Sequence, residues 1–146
     1  MKQSILVVEE NIAIKFLLTT VLQSKYKVTG CNNCYAAINE LKKKDIDLVI
    51  VNIDSLDSIN IEFLNHINSS SLYSEIPVIA ISKSNDPSLR KTCLDMGVIY
   101  YFEKPFDPRV LIGKVENALL TTVSVYGNVD SIVREEGASA KVNLSN

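Results

Sequence analysis

A chain of 146 residues, 47% hydrophobic and 22% charged, suits one globular domain with a core of its own and would crowd two. Its formal charge of −2 gives no general attraction for phosphate backbones, which disfavours nucleic acid as a direct partner. The start, MKQSILVVEE, is far too short in apolar residues for a signal peptide or a spanning helix, so a soluble cytoplasmic protein is expected.

In chain order, the run from Ile5 to Val8 reads as a strand buried on both faces, and residues 11–24 follow as an amphipathic helix with Ile14, Leu17, Leu18, Val21 and Leu22 on one side. Lys27 to Cys31 is a shorter strand. Asn33 then caps a helix with Ala37, Ile38 and Leu41 on its inner face, and Lys42, Lys43 and Lys44 oppose the dipole at its end. Asp47 to Val51 is a third strand; Ile61, Phe63, Leu64 and Ile67 form the next helical face, closed by three serines from Ser69. Ile76 to Ile81 is a fourth strand. Asp86-Pro87 opens a helix that Gly97 stops, Ile99 to Phe102 is a fifth strand, and Asp107-Pro108 opens a last helix carrying Val110, Leu111, Val115, Ala118 and Leu119.

Strands alternating with helices through short connections call for right-handed crossovers, hence a doubly wound α/β domain with a parallel sheet. Residues 1–120 form this domain. Residues 121–146 turn small and polar and read as a flexible tail or linker. Ligand chemistry in such a fold sits beyond the carboxyl ends of the strands, and the residues standing there are Glu9, Glu10, Asn52, Ser82 and Lys104.

Two adjacent acids after a buried strand suggest a cation, and a hard ion such as Mg²⁺ takes carboxylate, water and phosphate oxygens. Glu9 and Glu10 could supply such ligands, while Lys104 could pair with the acids or with a phosphoryl oxygen to which Ser82 also donates. The alternative is plain: two solvated acids leading into a helix, with Lys104 as counter-ion. Cys31, Cys34 and Cys93 make an odd set in a chain without an export signal, so reduced thiols at a turn are expected. The Cys31–Cys34 spacing suits redox chemistry, and zinc would have to recruit Cys93 and His66, but neither outweighs the simpler reading. His66, among asparagines, reads as a surface residue.

Leu-Val-Val-Glu9-Glu10-Asn11 at the end of the first strand, Ser82 after the fourth, and Tyr101-Phe-Glu-Lys104-Pro105-Phe106 at the fifth keep a familiar order. On these motifs, residues 5 to about 120 resemble a response-regulator receiver domain of the single-domain chemotaxis type. The resemblance implies a flavodoxin-like sheet in the order 2-1-3-4-5 with five helices, and a switch that couples the Ser82 hydroxyl to Tyr101, whose ring is buried when a loop shifts. It also implies a partner surface on the fourth helix, fifth strand and fifth helix. That surface carries Arg90, Lys91, Asp95, Tyr100, Glu103 and Arg109 here and offers a face for a homodimer.

The departures fall in one pocket. Where the family carries the aspartate that takes a phosphoryl group from a histidine kinase, this chain has Asn52, a neutral carboxamide without the anionic oxygen that forms an acyl phosphate. Glu9 and Glu10 are each a methylene longer than the usual aspartates, and the following loop reads Ser55-Leu56 and Ile59-Asn60 in place of a proline and an aspartate-glycine pair. The expectation is an atypical receiver, non-enzymatic, acting as an interaction module for a histidine kinase or effector. No cofactor is required, and Glu10 is the residue that could weakly hold Mg²⁺. The competing expectation is Mg²⁺-dependent phosphorylation at Asp54 or at a deamidated Asn52. A nucleotide-binding flavodoxin-like protein ranks third, since no glycine-rich loop follows the first strand.

Overall fold

The computed structural model describes residues 2–123, so the residues expected to form a tail lie almost wholly outside the described part. In chain order the elements are β1 (Ser4–Val8), α1 (Ile12–Leu22), β2 (Lys27–Cys31), α2 (Cys34–Lys43), β3 (Leu48–Asn52), α3 (Ile59–Ser69), β4 (Val78–Ser82), α4 (Pro87–Asp95), β5 (Val98–Glu103) and α5 (Pro108–Val123). The strands form one parallel sheet in the order β2-β1-β3-β4-β5, the doubly wound arrangement that the alternating pattern demanded.

The period of two along each strand divides the core. Ile5, Val7, Leu48, Ile50, Ile79 and Ile81 face α1 and α5, where Leu18, Leu22, Leu111, Val115 and Leu119 meet them. Leu6, Val8, Val49, Val51 and Ala80 face the other way, onto Ala37 and Leu41 of α2, Phe63, Leu64 and Ile67 of α3, and Leu89 and Cys93 of α4. Each such aliphatic side chain contributes roughly 1.5–3 kcal/mol on leaving water, which is why β1, β3 and β4 tolerate almost no polar residue along their length.

Side-chain caps set where several helices begin. Asn11 accepts from the Ile14 N–H, Asn33 from Ala36, Ser58 from Asn60 and Asp86 from Ser88, each at 2.9–3.2 Å. Gly97 ends the α4 region at φ 95°, a left-handed turn that a side chain would strain.

Some boundaries differ from the sequence expectation. The fourth strand starts at Val78, because Pro77 has no N–H to give the ladder; its carbonyl still accepts from the Val49 N–H at 3.0 Å. The third strand starts at Leu48 and runs one residue further, to Asn52; Asp47, just ahead of it, holds Ser4 twice, its side chain accepting from the Ser4 N–H at 2.7 Å and its own N–H donating to the Ser4 carbonyl at 2.8 Å. The last helix continues three residues past Leu120, to Val123. Tyr100, expected on the partner surface, is only 7% exposed. It faces the α1/α5 side of the sheet with the Lys114 ammonium 5.4 Å from its ring centre; Val98 lies in the opposite core, and the register shift that pairs Ile79 with Tyr100 turns Tyr100 and Phe102 to this side.

Candidate functional site

The chain leaves β1 toward β2 on one side and returns to β3 on the other. The loops after β1 and β3 therefore diverge, and a crevice opens between them at the carboxyl end of the sheet. Backbone bonds pin its walls. The Glu9 N–H donates to the Cys31 carbonyl at 3.0 Å, Ile53 to Ile81 at 2.9 Å and Lys104 to Ser82 at 2.7 Å, so each strand's last pairing carries over into the residue that bears, or flanks, the chemistry.

Glu9 and Glu10, adjacent in sequence, part company. Glu9 turns inward, 1% exposed, where its Oε1 meets the Lys104 ammonium at 2.7 Å and its Oε2 accepts from the Asn11 N–H at 3.2 Å. Glu10 turns out to solvent and lines a cavity of about 270 Å³ together with Asn32, Asn33, Asn52, Asp54, Ser55, Ser58, Ile59 and Asn60. Lys104 is thereby committed to a buried ion pair that ties the loop after β5 to β1, across the top of β3 and β4.

At the tip of β3, the buried side chain of Ile53 and its backbone bond to β4 hold Asn52 and Asp54 on a common side. The Asn52 Nδ2 donates to Asp54 Oδ2 at 3.0 Å, and the other Asp54 oxygen accepts from the Lys83 N–H at 2.9 Å. Burial alone would raise the Asp54 pKa, but the Lys83 N–H, the Asn52 amide and the Lys104 and Lys83 charges outweigh it and hold this carboxyl below its ordinary value. Asn60, from the first turn of α3, donates through Nδ2 to the Asn52 carbonyl at 2.7 Å. The Oδ1 atoms of both asparagines are buried without a hydrogen-bond partner among the described residues. Leaving such an oxygen unpaired costs on the order of 1–3 kcal/mol, a cost seldom retained by a fold without a reason.

Ser82 is fully buried and accepts from the Ser84 N–H at 3.0 Å, while the Tyr101 hydroxyl donates to the Ser84 carbonyl at 3.1 Å. The two residues singled out as a switch thus meet on one loop residue. Tyr101 is 2% exposed, and burial pushes its phenol up from the ordinary value. The Arg90 guanidinium lies 5.5 Å from its ring centre and reaches Glu103 at 2.6 Å, closing α4 onto β5 over the buried ring. On the same surface Lys91 pairs with Asp95 at 2.9 Å and Arg109 with Asp107 at 3.2 Å.

The cysteines and His66 do not gather. Among the described residues no three His, Cys, Asp or Glu side chains stand together to hold a metal, and all three cysteines are free and buried. Burial pushes the thiols of Cys31 and Cys93 up to about 11. In Cys34 burial also outweighs the lowering by the Cys34 and Tyr35 N–H groups at the helix start. Iodoacetamide at pH 8 is therefore expected to leave all three thiols largely unmodified in the native protein and to label all three after unfolding; rapid native labelling of Cys31 or Cys34, mapped by peptide mass spectrometry, would revive the redox reading.

Asn60 went unrecognised at the sequence level as a site residue. Its signal was only an amide eight residues beyond Asn52, and nothing in the spacing said that the first turn of α3 would bring it back to the strand tip.

The family model described as the response regulator receiver domain matches residues 5–116. The chain belongs to this family. Among curated relatives, it is 26% identical over 140 residues to the phosphate regulon transcriptional regulatory protein PhoB of Shigella flexneri, covering 95% of this chain and 60% of that protein. It is 28% identical over 116 residues to the CAI-1 autoinducer sensor kinase/phosphatase CqsS of Vibrio cholerae, covering 78% of this chain and 17% of that one. The chain thus spans about three fifths of the first relative and a small part of the second. Among solved structures, the chemotaxis response regulator CheY4 of Vibrio cholerae superposes with a TM-score of 0.73 at 21% identity, over 82% of this chain and 100% of that one. A CheY-like receiver domain protein of Methanospirillum hungatei gives 0.77 at 20% identity, over 85% and 98%. At these identities the structures establish the fold alone. Among the described residues no helix is long and apolar enough to cross a membrane.

Proposed function

We propose that this receiver domain works in two-component signalling as a protein-interaction module and takes no phosphoryl group at the position its family uses. One observation carries the reading: at the tip of β3, beside Glu10 and Asp54, stands the Asn52 carboxamide, whose nitrogen is spent on Asp54 and whose oxygen carries no charge to attack phosphorus. Deamidation is a poor remedy, because it needs attack by the backbone nitrogen of Ile53, and that N–H is held by the Ile81 carbonyl at 2.9 Å behind a buried side chain.

Mg²⁺ does not fit the donors present. Glu9 is spent on Lys104 and the Asn11 N–H, both Asp54 oxygens already accept hydrogen bonds, and of the carboxylates in this pocket Glu10 is the one left uncommitted among the described residues. A hard dication that sheds water reluctantly asks for more negative charge than that. The chain needs no cofactor in this reading.

Two features support a module that holds one signalling state. The Tyr101 ring already lies inward, the arrangement that the family's switch adopts when its loop shifts, and the Arg90–Glu103 pair closes over it. The partners are other signalling proteins of the cytoplasm, a histidine kinase or an effector. The surface of α4, β5 and α5 is the face offered to them or to a second copy of the chain.

Incubation with acetyl phosphate and MgCl₂ followed by intact mass measurement tests the reading. The expected result is an unchanged mass. A stable gain of one phosphoryl group would sink it and direct attention to Asp54.

A further inference from the structure

Gly113 stands in the interior of α5 for no reason that the described residues supply. A glycine weakens a helix interior relative to alanine, yet its φ is not positive and a Cβ built on it would meet no atom within 4 Å. The gap it leaves lies on the solvent-facing side of the helix, in a shallow groove lined by Val110, Gly113, Lys114, Glu116, Asn117 and Leu120. Val110 is 40% and Leu120 63% exposed. The charged heads are drawn off to the two flanks, Lys114 over the Tyr100 ring at 5.4 Å and Glu116 to Lys25 at 3.0 Å. What stays along the middle is an apolar side chain at each end with a notch between them. Residues 124–146 lie outside the described part and follow directly on this helix. They include Gly127-Asn128, a pair suited to reversing the chain, and then Val129-Asp-Ser-Ile-Val133-Arg-Glu135-Glu136.

We infer that the chain turns back at Gly127-Asn128 and covers this face with its own next residues, Val129 beside Leu120, Val133 in the Gly113 notch and Glu135 against Arg109. Lengths carry the register. At 1.5 Å per helical residue, Leu120, Gly113 and Arg109 lie about 4.5, 15 and 21 Å back from Val123. At about 3.3 Å per extended residue, Val129, Val133 and Glu135 lie roughly 3, 16 and 23 Å beyond Asn128. An extended chain also puts these three on one side, with Ile132 and Arg134 on the other, and valine suits that conformation. Charge agrees, since the Arg109 side chain is 90% exposed and gains a second carboxylate beside that of Asp107. The area favours this occupant over a second copy. Separate chains need about 800 Å² from each partner, more than one helix face with two apolar side chains offers, whereas a tethered segment acts at an effective concentration in the millimolar range. A partner that uses α5 must then displace the segment, so residues 127–136 compete for part of the surface offered to other signalling proteins. The inference does not depend on the chemistry at Asn52.

The test is nuclear Overhauser spectroscopy on the full-length chain labelled with ¹³C and ¹⁵N. Contacts are expected from the Val133 methyls to the Gly113 N–H and from the Val129 methyls to those of Leu120; no contact between residues 127–136 and α5 would overturn the proposal. In an equal mixture of chains labelled with ¹³C alone and with ¹⁵N alone, the Val133–Gly113 contact is expected to vanish. Its persistence there would give the face to a second copy and overturn the assignment to the chain's own segment. Val133→Asp should abolish the contacts and shift the Gly113 and Leu120 amide signals, while Ile132→Asp, on the opposite side, should leave them in place; equal loss in both would overturn the register. Gly113→Leu meets no crowding in the described fold, so it should keep the helix by circular dichroism and move the Val133 amide signal as the notch fills. A Val133 signal unmoved by that change would overturn the notch as its seat.

Discussion

Replacing Lys104 by methionine is expected to destabilise the domain by about 3–5 kcal/mol, because it strands a buried carboxylate. Glu9 is 1% exposed and, among the described residues, its only cationic partner is the Lys104 ammonium at 2.7 Å; the Asn11 N–H that it also holds cannot offset a full charge. For a domain of this size the loss corresponds to a fall in Tm of roughly 10–15 °C, readable by circular dichroism. The reverse change, Glu9→Gln, should cost much less, since the Lys104 side chain is 16% exposed and can carry its ammonium to water on a flexible stem. The double variant should recover most of the stability lost in Lys104→Met. That asymmetry marks the pair as a buried strut; equal, small losses in both single variants would show that water reaches Glu9 freely.

Restoring the family's aspartate is expected to harm the fold before it helps the chemistry. In Asn52→Asp the bond from Nδ2 to Asp54 Oδ2, 3.0 Å long, becomes a contact between two carboxylates. Like charges at this distance raise one partner's pKa by about 1–3 units, a loss of roughly 1.5–4 kcal/mol at neutral pH. The sign with pH follows from the raised value: the penalty is full above it and fades as pH falls through it, when one of the two acids binds a proton. In the natural chain the same Asp54 is held below its ordinary value, so the stability it adds is present above about pH 4, the unfolded aspartate value, and is lost on acidification below that. Urea denaturation at pH 7 and pH 4.5 should therefore show a deficit in the variant that shrinks at the lower pH. Millimolar MgCl₂ should restore part of the variant's stability and leave the natural chain unmoved. A variant as stable as its parent at pH 7 would mean that Asn52 and Asp54 are not in contact.

The fold was readable because its signals are local and redundant. Four apolar residues from Ile5, the run ending at Val51 and the run ending at Ile81 are short, continuous and rich in β-branched residues and so read as strands buried on both faces, and Asn33, Asp86 and Asp107 announce helix starts by short side chains that accept from the turn ahead. Pro77 and Tyr100 misled for opposite reasons. The first lost its place in a strand through a missing N–H, and the second belongs to a sheet face decided by counting from residues whose inward direction is known only once β4 lies alongside.

The site divides in the same way. By itself the sequence determined which groups stand at the carboxyl ends of the strands, Glu9, Glu10, Asn52, Asp54, Ser82 and Lys104, and that an amide replaces an acid among them, since these depend only on position after a strand. Only the tertiary structure decided which acid is buried against Lys104 and which is left to the cavity, that Asn52 spends its nitrogen on Asp54, and that Asn60 returns to the strand tip. The physical reason is the reach of the interactions. Capping and strand burial are settled within a few residues of chain, whereas ion pairing and the orientation of an amide are settled by groups up to 95 residues away, for which periodicity carries no signal.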